Sequence, residues 1–216
     1  MIDVLVNNWP LFAEGFVSTI ELFVLAAIGS LVLGTILAAM RVSPVPVLRA
    51  AGAGYVNIVR NTPLTLVFFF FVFAYPRLDL VDVSFFARAV ISLTLYTAAF
   101  VCETVRSGIN TVPLGQGEAS RALGLTFPQT LGSVVVPQAF RSVVPPLTSV
   151  MIALLKNTTI AAGFSVHEAG SITPALSERG EPILLGMLWI VVGFLILVLP
   201  LTAVQRSLEK RWRVAR

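Results

Sequence analysis

A run of four polar side chains interrupts an otherwise apolar stretch that extends from Val143 to Val166. The run consists of Lys156, Asn157, Thr158 and Thr159. Its ammonium, amide and hydroxyl groups could hold a small polar solute by ionic and hydrogen bonds. A lysine at the centre of a membrane helix costs about 2.5 to 3.5 kcal/mol. We therefore expect Lys156 to face a cavity, a partner carboxylate or the axis of a dimer.

The depth of Lys156 depends on where its helix begins. Pro145-Pro146 favours a start close to Val143 and a central lysine, because prolines suit the first turn of a helix. If the helix begins as early as Gln138, Lys156 reaches the outer interface and extends its charge into water.

Motifs for catalysis are missing from the sequence. It contains one histidine and one cysteine, and it has neither the Gly-x4-Gly-Lys-Ser/Thr phosphate loop nor the Gly-x-Ser-x-Gly elbow. His167-Glu168 begins like a zinc-protease motif, but Ser171 occupies the position of the second histidine. The sequence therefore predicts no enzyme activity, no metal site and no cofactor bound by this chain.

The composition indicates a membrane protein. Hydrophobic residues make up 56% of the 216 residues and charged residues 12%, whereas about a quarter of a soluble domain is charged. The formal net charge is only +4, and the basic residues cluster beside apolar segments. This pattern disfavours nucleic-acid binding and is typical of chains embedded in a lipid bilayer.

The apolar segments predict an all-α, polytopic membrane protein with five transmembrane helices. We expect residues 1–15 to form an extracytoplasmic lead-in, residues 16–206 the transmembrane domain, and residues 207–216 a basic cytoplasmic tail. The long apolar runs suffice to cross about 30 Å of hydrocarbon. The predicted spans are 16–40, 64–75, 85–105, 143–166 and 183–203.

The arginines and lysines orient these spans. Five spans place the two termini on opposite sides, and an N-terminus outside with a C-terminus in the cytoplasm puts most cations inside, as the positive-inside rule requires. The inner set is Arg41, Arg49, Arg60, Arg106, Arg121, Arg141, Arg206, Lys210, Arg211, Arg213 and Arg216.

Two further polar groups lie at predicted span ends. Glu103 and Arg106 share a helix face at i, i+3 and can pair with each other. Arg60 and Asn61 precede Pro63, which can start the second span. The free amides of that helix start, with Asn61 or Thr62 as the cap and Arg60 alongside, would suit an anion.

A polar stretch between the third and fourth spans predicts two short helices joined by a turn. Helix formers occupy Gln116 to Leu123, and Gly124 can take the positive φ that ends a helix. Phe127-Pro128 permits a second helix to start at once. The stretch reads Glu118-Ala119-Ser120, three residues, Gly124, nine residues, then Val-x-Val-Pro ending at Pro137.

This spacing resembles the EAA loop, about residues 110–140, of membrane permeases in binding-protein-dependent ABC importers. Further stretches resemble the polar amino-acid branch, in particular the glutamate permease subunits of actinobacteria. The resemblance puts Glu118, Ala119, Gly124 and Pro137 at the contact with a separate ATPase, and it makes Glu103 and Arg106 a brace for the loop. The stretches outside the loop are 41–44, 55–64, 107–110 and 156–160.

The resemblance also implies an assembly and a substrate. Such importers combine two permease subunits, commonly unlike partners, with an ATPase dimer that binds ATP and Mg²⁺ and an extracytoplasmic solute-binding protein. Glutamate is the implied substrate, passed to the cytoplasm by alternating access. Cationic side chains in the passage would stabilise its second carboxylate. The implied passage residues are Lys156, Asn157, Thr158, Thr159, Arg60 and Asn61.

One alternative remains open from the residues alone. Glu21, Glu103 and Lys156 are ionisable groups within or beside predicted spans, and such groups can form an ion path. A stand-alone ion-coupled carrier or channel for a small polar solute would use them without any ATPase.

Overall fold

The computed structural model describes residues 2–79 and 81–212, and within these residues it contains helices and no strands. The all-α prediction is therefore confirmed for the part of the chain described. Short π and 3-10 segments extend several of the helices. The α-helices are α1 Ile2–Asn7, α2 Trp9–Val42, α3 Pro46–Arg60, α4 Leu64–Phe69, α5 Phe85–Asn110, α6 Leu114–Ala122, α7 Phe127–Thr130, α8 Val136–Asn157, α9 Ile172–Glu178 and α10 Ile183–Arg211.

Four helical segments in the described residues are long and apolar enough to cross a membrane. They are Trp9–Val42, Phe85–Asn110, Phe127–Phe164 and Ile183–Arg211. A fifth crossing needs the pair Pro46–Arg60 and Leu64–Leu78, which is bent by 102°. The predicted span 64–75 is thus shorter than the roughly 20 residues that a membrane helix needs, and it completes a crossing only together with α3.

Most of the connection between the first two predicted spans is the regular helix α3. Its glycines do not break the helix. Gly52 lies where α3 presses on the end of α2, and a Cβ there would sit 2.9 Å from Cγ of Arg41. Small residues allow such close helix contacts in membranes. The helix of the first predicted span, α2, begins earlier than that span, at Trp9 rather than Phe16.

The centre of the bundle is the contact of α2 with α5, which run parallel. Gly29 meets Thr94, and one turn and a half further on Gly34 meets Val101. A Cβ on Gly34 would lie 2.8 Å from the backbone oxygen of Ala98. The backbones of the two helices are therefore in close contact. Helix α5 is held firmly by this contact, and it carries many of the polar side chains of the site.

Helix α8 runs antiparallel to α5, and α10 packs on the outside of α8. A Cβ on Gly108 of α5 would overlap the side chain of Val143 on α8. Gln205 of α10 donates a 2.8 Å hydrogen bond to Oγ of Ser149, and the rings of Phe140 and Trp212 lie 6.1 Å apart. The predicted basic tail therefore continues α10 as far as Arg211, while Arg213 and Arg216 lie outside the described residues.

Candidate functional site

The polar stretch after α5 folds into the two-helix hairpin that the sequence predicts. Helix α6 ends in a Schellman motif, in which the amide of Gly124 donates to the Arg121 carbonyl at 2.9 Å and that of Leu125 to the Ser120 carbonyl at 3.1 Å. This motif requires the left-handed φ of +76° that Gly124 has. A Cβ would strain that conformation, so the glycine fixes the turn.

A capping box starts the second helix of the hairpin. The amide of Thr126 donates to Oε1 of Gln129 at 2.9 Å, and the Thr126 side chain caps the same turn. The helix then continues through a π segment, 131–135, into α8, whose first turn contains Pro137. The hairpin is thus directly continuous with α8.

The hairpin presents an exposed apolar surface. Leu114, Leu123 and Phe127 are 88%, 80% and 78% exposed, and Glu118 and Ala119 are exposed beside them. Leu114 and Leu123 lie outside the candidate spans, and Phe127 is the first residue of one. Large apolar side chains this exposed around a polar turn mark an interaction surface.

Three arginines converge on one carboxylate near the C-terminal end of α5. Glu103 pairs with Arg41 of α2 through Oε1 and with Arg106 through Oε2, the latter at 2.9 Å. Arg60 at the end of α3 lies 3.9 Å from Oε1. The predicted pairing of Glu103 with Arg106 is therefore present, but it belongs to a cluster that joins α2, α3 and α5.

Two cavities are stacked along the seam between α5 and α8. The upper one, about 350 Å³, is lined by Tyr96, Thr97 and Phe100 of α5 and by Asn157 and four other residues of α8. The lower one, about 330 Å³, begins one turn further along α5 at Thr104. It is lined by Arg60, Glu103, Thr104, Ser107, Gly108, Thr111, Ser142 and Pro146.

Only part of the predicted polar run faces these cavities. Asn157 lines the upper cavity, whereas Thr158 is buried and donates to the Leu155 carbonyl at 2.7 Å. Thr159 donates to the Lys156 carbonyl at 2.8 Å. Lys156 is exposed on the surface of the chain and lines neither cavity.

The position of Lys156 follows from the register of α8 against α5. The expected start of the helix near Val143 was wrong, because α8 begins at Val136 and holds Pro145-Pro146 in its interior. Asn157 nevertheless shares the upper cavity with Tyr96, near the middle of α5. Lys156 is thus level with the centre of α5, even though its helix begins early.

The predicted cap at the start of α4 was also wrong. Asn61 donates to the Asn57 carbonyl at 2.7 Å and Thr62 to the Ile58 carbonyl at 2.8 Å. Both side chains therefore end α3 rather than start α4, whose first turn has no side-chain cap. Arg60 alone of this group turns toward a cavity.

Sequence reasoning considered Glu168 only as part of an incomplete zinc-protease motif and missed its burial. The carboxylate is fully buried, accepts from the Gly170 amide at 2.8 Å and from Oγ1 of Thr19 at 3.2 Å. Burial raises the pKa of Glu168 to about 7, although these hydrogen bonds oppose the shift. The apolar spacing of Ala169, Ile172 and Leu176, all fully buried, was the signal of a packed helix. His167, the neighbour of Glu168, is exposed.

Comparison with known proteins identifies the class. Residues 30–214 match the family described as binding-protein-dependent transport system inner membrane component. The chain belongs to this family, and it is a membrane component rather than the ATPase.

Individual relatives show which kinds of transporter subunit the chain is similar to. The glutamate transport system permease protein GluC of Corynebacterium efficiens is 48% identical over 204 residues, covering 89% of this chain and 90% of the relative. A probable glutamine ABC transporter permease protein, GlnM of Bacillus subtilis, is 33% identical over 97% of both chains.

Solved structures show the same fold. An amino acid ABC transporter crystallised with histidines has a TM-score of 0.90 at 24% identity, over 96% of this chain and 97% of the other. An inward-facing MetNI methionine ABC transporter has a TM-score of 0.75 at 21% identity, over 94% and 97%. The predicted permease fold is confirmed.

Proposed function

We propose that this chain is a permease subunit of an ATP-driven importer that carries glutamate from an extracytoplasmic binding protein to the cytoplasm. The observation that carries the proposal is the exposed apolar hairpin, made rigid by the Gly124 turn and continuous with α8. The 48% identity to a glutamate permease supports the substrate.

The hairpin docks on a separate ATPase subunit. The apolar contact is made by Leu114, Leu123 and Phe127. The contact also includes Glu118 and Ala119 of α6 and the turn at Gly124. Pro137 lies at the junction of the hairpin with α8. A rigid hairpin seated on an ATPase moves as one body when an ATPase dimer closes on ATP and Mg²⁺. Because α8 continues from it, this motion reaches the α5–α8 seam.

The remaining partners and the orientation complete the assembly. A second permease subunit, unlike this chain, provides the other half of the passage, and the N-terminus lies outside. Glu103 and Arg106 brace the hairpin from the end of α5, since the cluster holds that helix to α2 and α3.

The substrate passes along the α5–α8 seam. Asn157 and Arg60 line its two cavities, with Thr158, Thr159 and Asn61 beside them. Lys156 is level with the middle of α5 but faces away from the chain, and a lipid environment there costs about 2.5 to 3.5 kcal/mol. It therefore points toward the second permease subunit, where the two chains enclose the passage.

Co-purification of the tagged chain with its cognate ATPase tests the docking. Wild type should retain the ATPase in a mild detergent, whereas Glu118→Lys and Gly124→Pro should lose it. Glu209→Lys, a charge reversal on an exposed residue of α10 outside the hairpin, is the matched control and should retain it. Equal retention by all four proteins, or by none, would reject the docking assignment.

The role of Lys156 has its own test in the assembled complex. Lys156→Ala should lower glutamate uptake and glutamate-stimulated ATP hydrolysis together, because the cation that draws the second carboxylate is gone. Unchanged uptake and unchanged ATP hydrolysis would show that Lys156 does not act in the passage. The docking assignment would be unaffected by that result.

A further inference from the structure

The lower cavity of the α5–α8 seam borders a charged cluster with an excess of positive charge, of which Arg60 and Glu103 line the cavity itself. Three guanidinium groups, those of Arg41, Arg60 and Arg106, surround the single carboxylate of Glu103, so the cluster carries a formal net charge of +2. Both oxygens of Glu103 are already engaged by Arg41 and Arg106. The cluster as it stands therefore attracts a further anion.

Arg60 is the member of the cluster that is free to meet that anion. Its nearest distance to Glu103 is 3.9 Å, beyond the range of a hydrogen bond, and its side chain is 45% exposed against 15% for Arg41.

The wall of the cavity offers the other groups that a carboxylate requires. Ser107 is exposed on the cavity side of α5, where its hydroxyl can donate to a ligand. Thr104, Thr111 and Ser142 line the same space, but their hydroxyls donate to the carbonyls of Phe100, Gly108 and Gln138. A planar guanidinium binds a carboxylate by two parallel hydrogen bonds, and the Ser107 hydroxyl can add a third. The volume of about 330 Å³ admits one small molecule with a few waters.

Arg60 also stands at the division between the two cavities. Its guanidinium carbon lies 5.5 Å from the ring centroid of Phe100, and Phe100 lines the upper cavity. A molecule that moves down the seam therefore passes Arg60 before it reaches the inner end of α5.

We propose that the lower cavity is a second carboxylate-binding station, on the cytoplasmic side, in which Arg60 and Ser107 hold a transported acidic amino acid before its release. This inference rests on the proposed function. A station at the exit refills from the cytoplasm by mass action, so high internal product holds it occupied and slows the next cycle.

Uptake into proteoliposomes tests the station, with the ATPase and ATP in the lumen and the binding protein outside. The initial rate of labelled glutamate uptake is measured after the lumen has been loaded with increasing unlabelled glutamate or, separately, glutamine. For wild type we expect luminal glutamate to inhibit at lower concentrations than glutamine, because glutamine lacks the second carboxylate. Each rate is divided by that variant's own rate with an empty lumen.

Variants on α3 localise the effect. Arg60→Gln should raise the half-inhibitory luminal glutamate concentration by about tenfold or more, the loss of one charge-assisted hydrogen-bonded contact, and Arg60→Lys should lie in between. Arg49→Gln removes an exposed charge from the same helix outside the cavity and should match wild type.

Three outcomes would overturn the inference. Uptake by wild type that is insensitive to luminal glutamate rejects the station and leaves the proposed function standing. Equal shifts in Arg60→Gln and Arg49→Gln reject Arg60 as its ligand. ATP-dependent uptake that is absent from wild type rejects the proposed function together with the station.

Discussion

At the scale of single residues, substitution of two glycines of the helical bundle by alanine should change stability in opposite directions. Gly34→Ala should destabilise the protein by about 1 to 3 kcal/mol, the usual cost of overpacking, because the new Cβ would lie 2.8 Å from the Ala98 backbone oxygen. Gly54→Ala meets nothing within 4 Å and should gain up to about 1 kcal/mol of helix propensity. Thermal unfolding in detergent measures both, and equal midpoints would contradict the close α2–α5 contact.

Glu168 makes the stability of the region that leads into α9 depend on pH. Its pKa is about 7 in the folded protein, against 4.5 as the ordinary value. The folded state therefore binds the proton more tightly, so the stability from protonation is complete below about pH 4.5 and is lost as the pH rises through 7. Glu168→Gln should flatten the dependence of the unfolding midpoint between pH 5 and 8.

The control for this titration is Glu178→Gln, which changes an exposed carboxylate at the end of α9. It should leave the slope of the wild type in place. If Glu168→Gln keeps that slope as well, another group titrates and the burial of Glu168 is not its cause.

At the scale of elements, the sequence predicted the hairpin better than any other part. The glycine turn, the Phe127-Pro128 helix start and the end of α6 all rest on local backbone rules, which need no knowledge of neighbouring helices. The errors arose where tertiary packing overrides such rules. Pro145-Pro146 lie inside α8 because proline is tolerated within membrane helices, and Gly52 stays helical because α2 presses on it.

The site was predicted only in part for the same reason. The Glu103–Arg106 pair follows from spacing within one helix, but Arg41 and Arg60 join it through the packing of α2 and α3 on α5, which spacing cannot reveal. Four consecutive polar residues likewise look equivalent in sequence. Only the rotation of α8 separates Asn157, which lines a cavity, from Lys156, which does not.

The turn of the hairpin makes a prediction at this scale. Gly124→Ala should cost about 1 to 2 kcal/mol at a left-handed φ and should weaken retention of the ATPase by loosening the two helices. Gly115→Ala, in α6 with nothing within 4 Å of a new Cβ, should retain the ATPase as wild type does. Pull-down at graded ATPase concentrations compares the two, and equal affinities would mean that the turn does not set the docking geometry.

At the scale of the whole molecule, the described residues form a helical bundle with a polar seam between α5 and α8. α2 and α5 provide a rigid centre, α8 links the seam to the hairpin, and α10 lies outside with few buried side chains. The chain belongs to a family of membrane components of binding-protein-dependent transport systems, and under the proposed function its exposed hairpin and polar seam act only within an assembly.

Uptake of labelled glutamate into proteoliposomes tests this account most directly. The vesicles contain the chain, its partner permease and the ATPase, with binding protein outside, and the lumen is loaded either with ATP and Mg²⁺ or with ADP. We predict that glutamate accumulates only with luminal ATP, and that Glu118→Lys abolishes the accumulation. Equal uptake with ADP, unaffected by Glu118→Lys, would contradict the account and establish a stand-alone carrier.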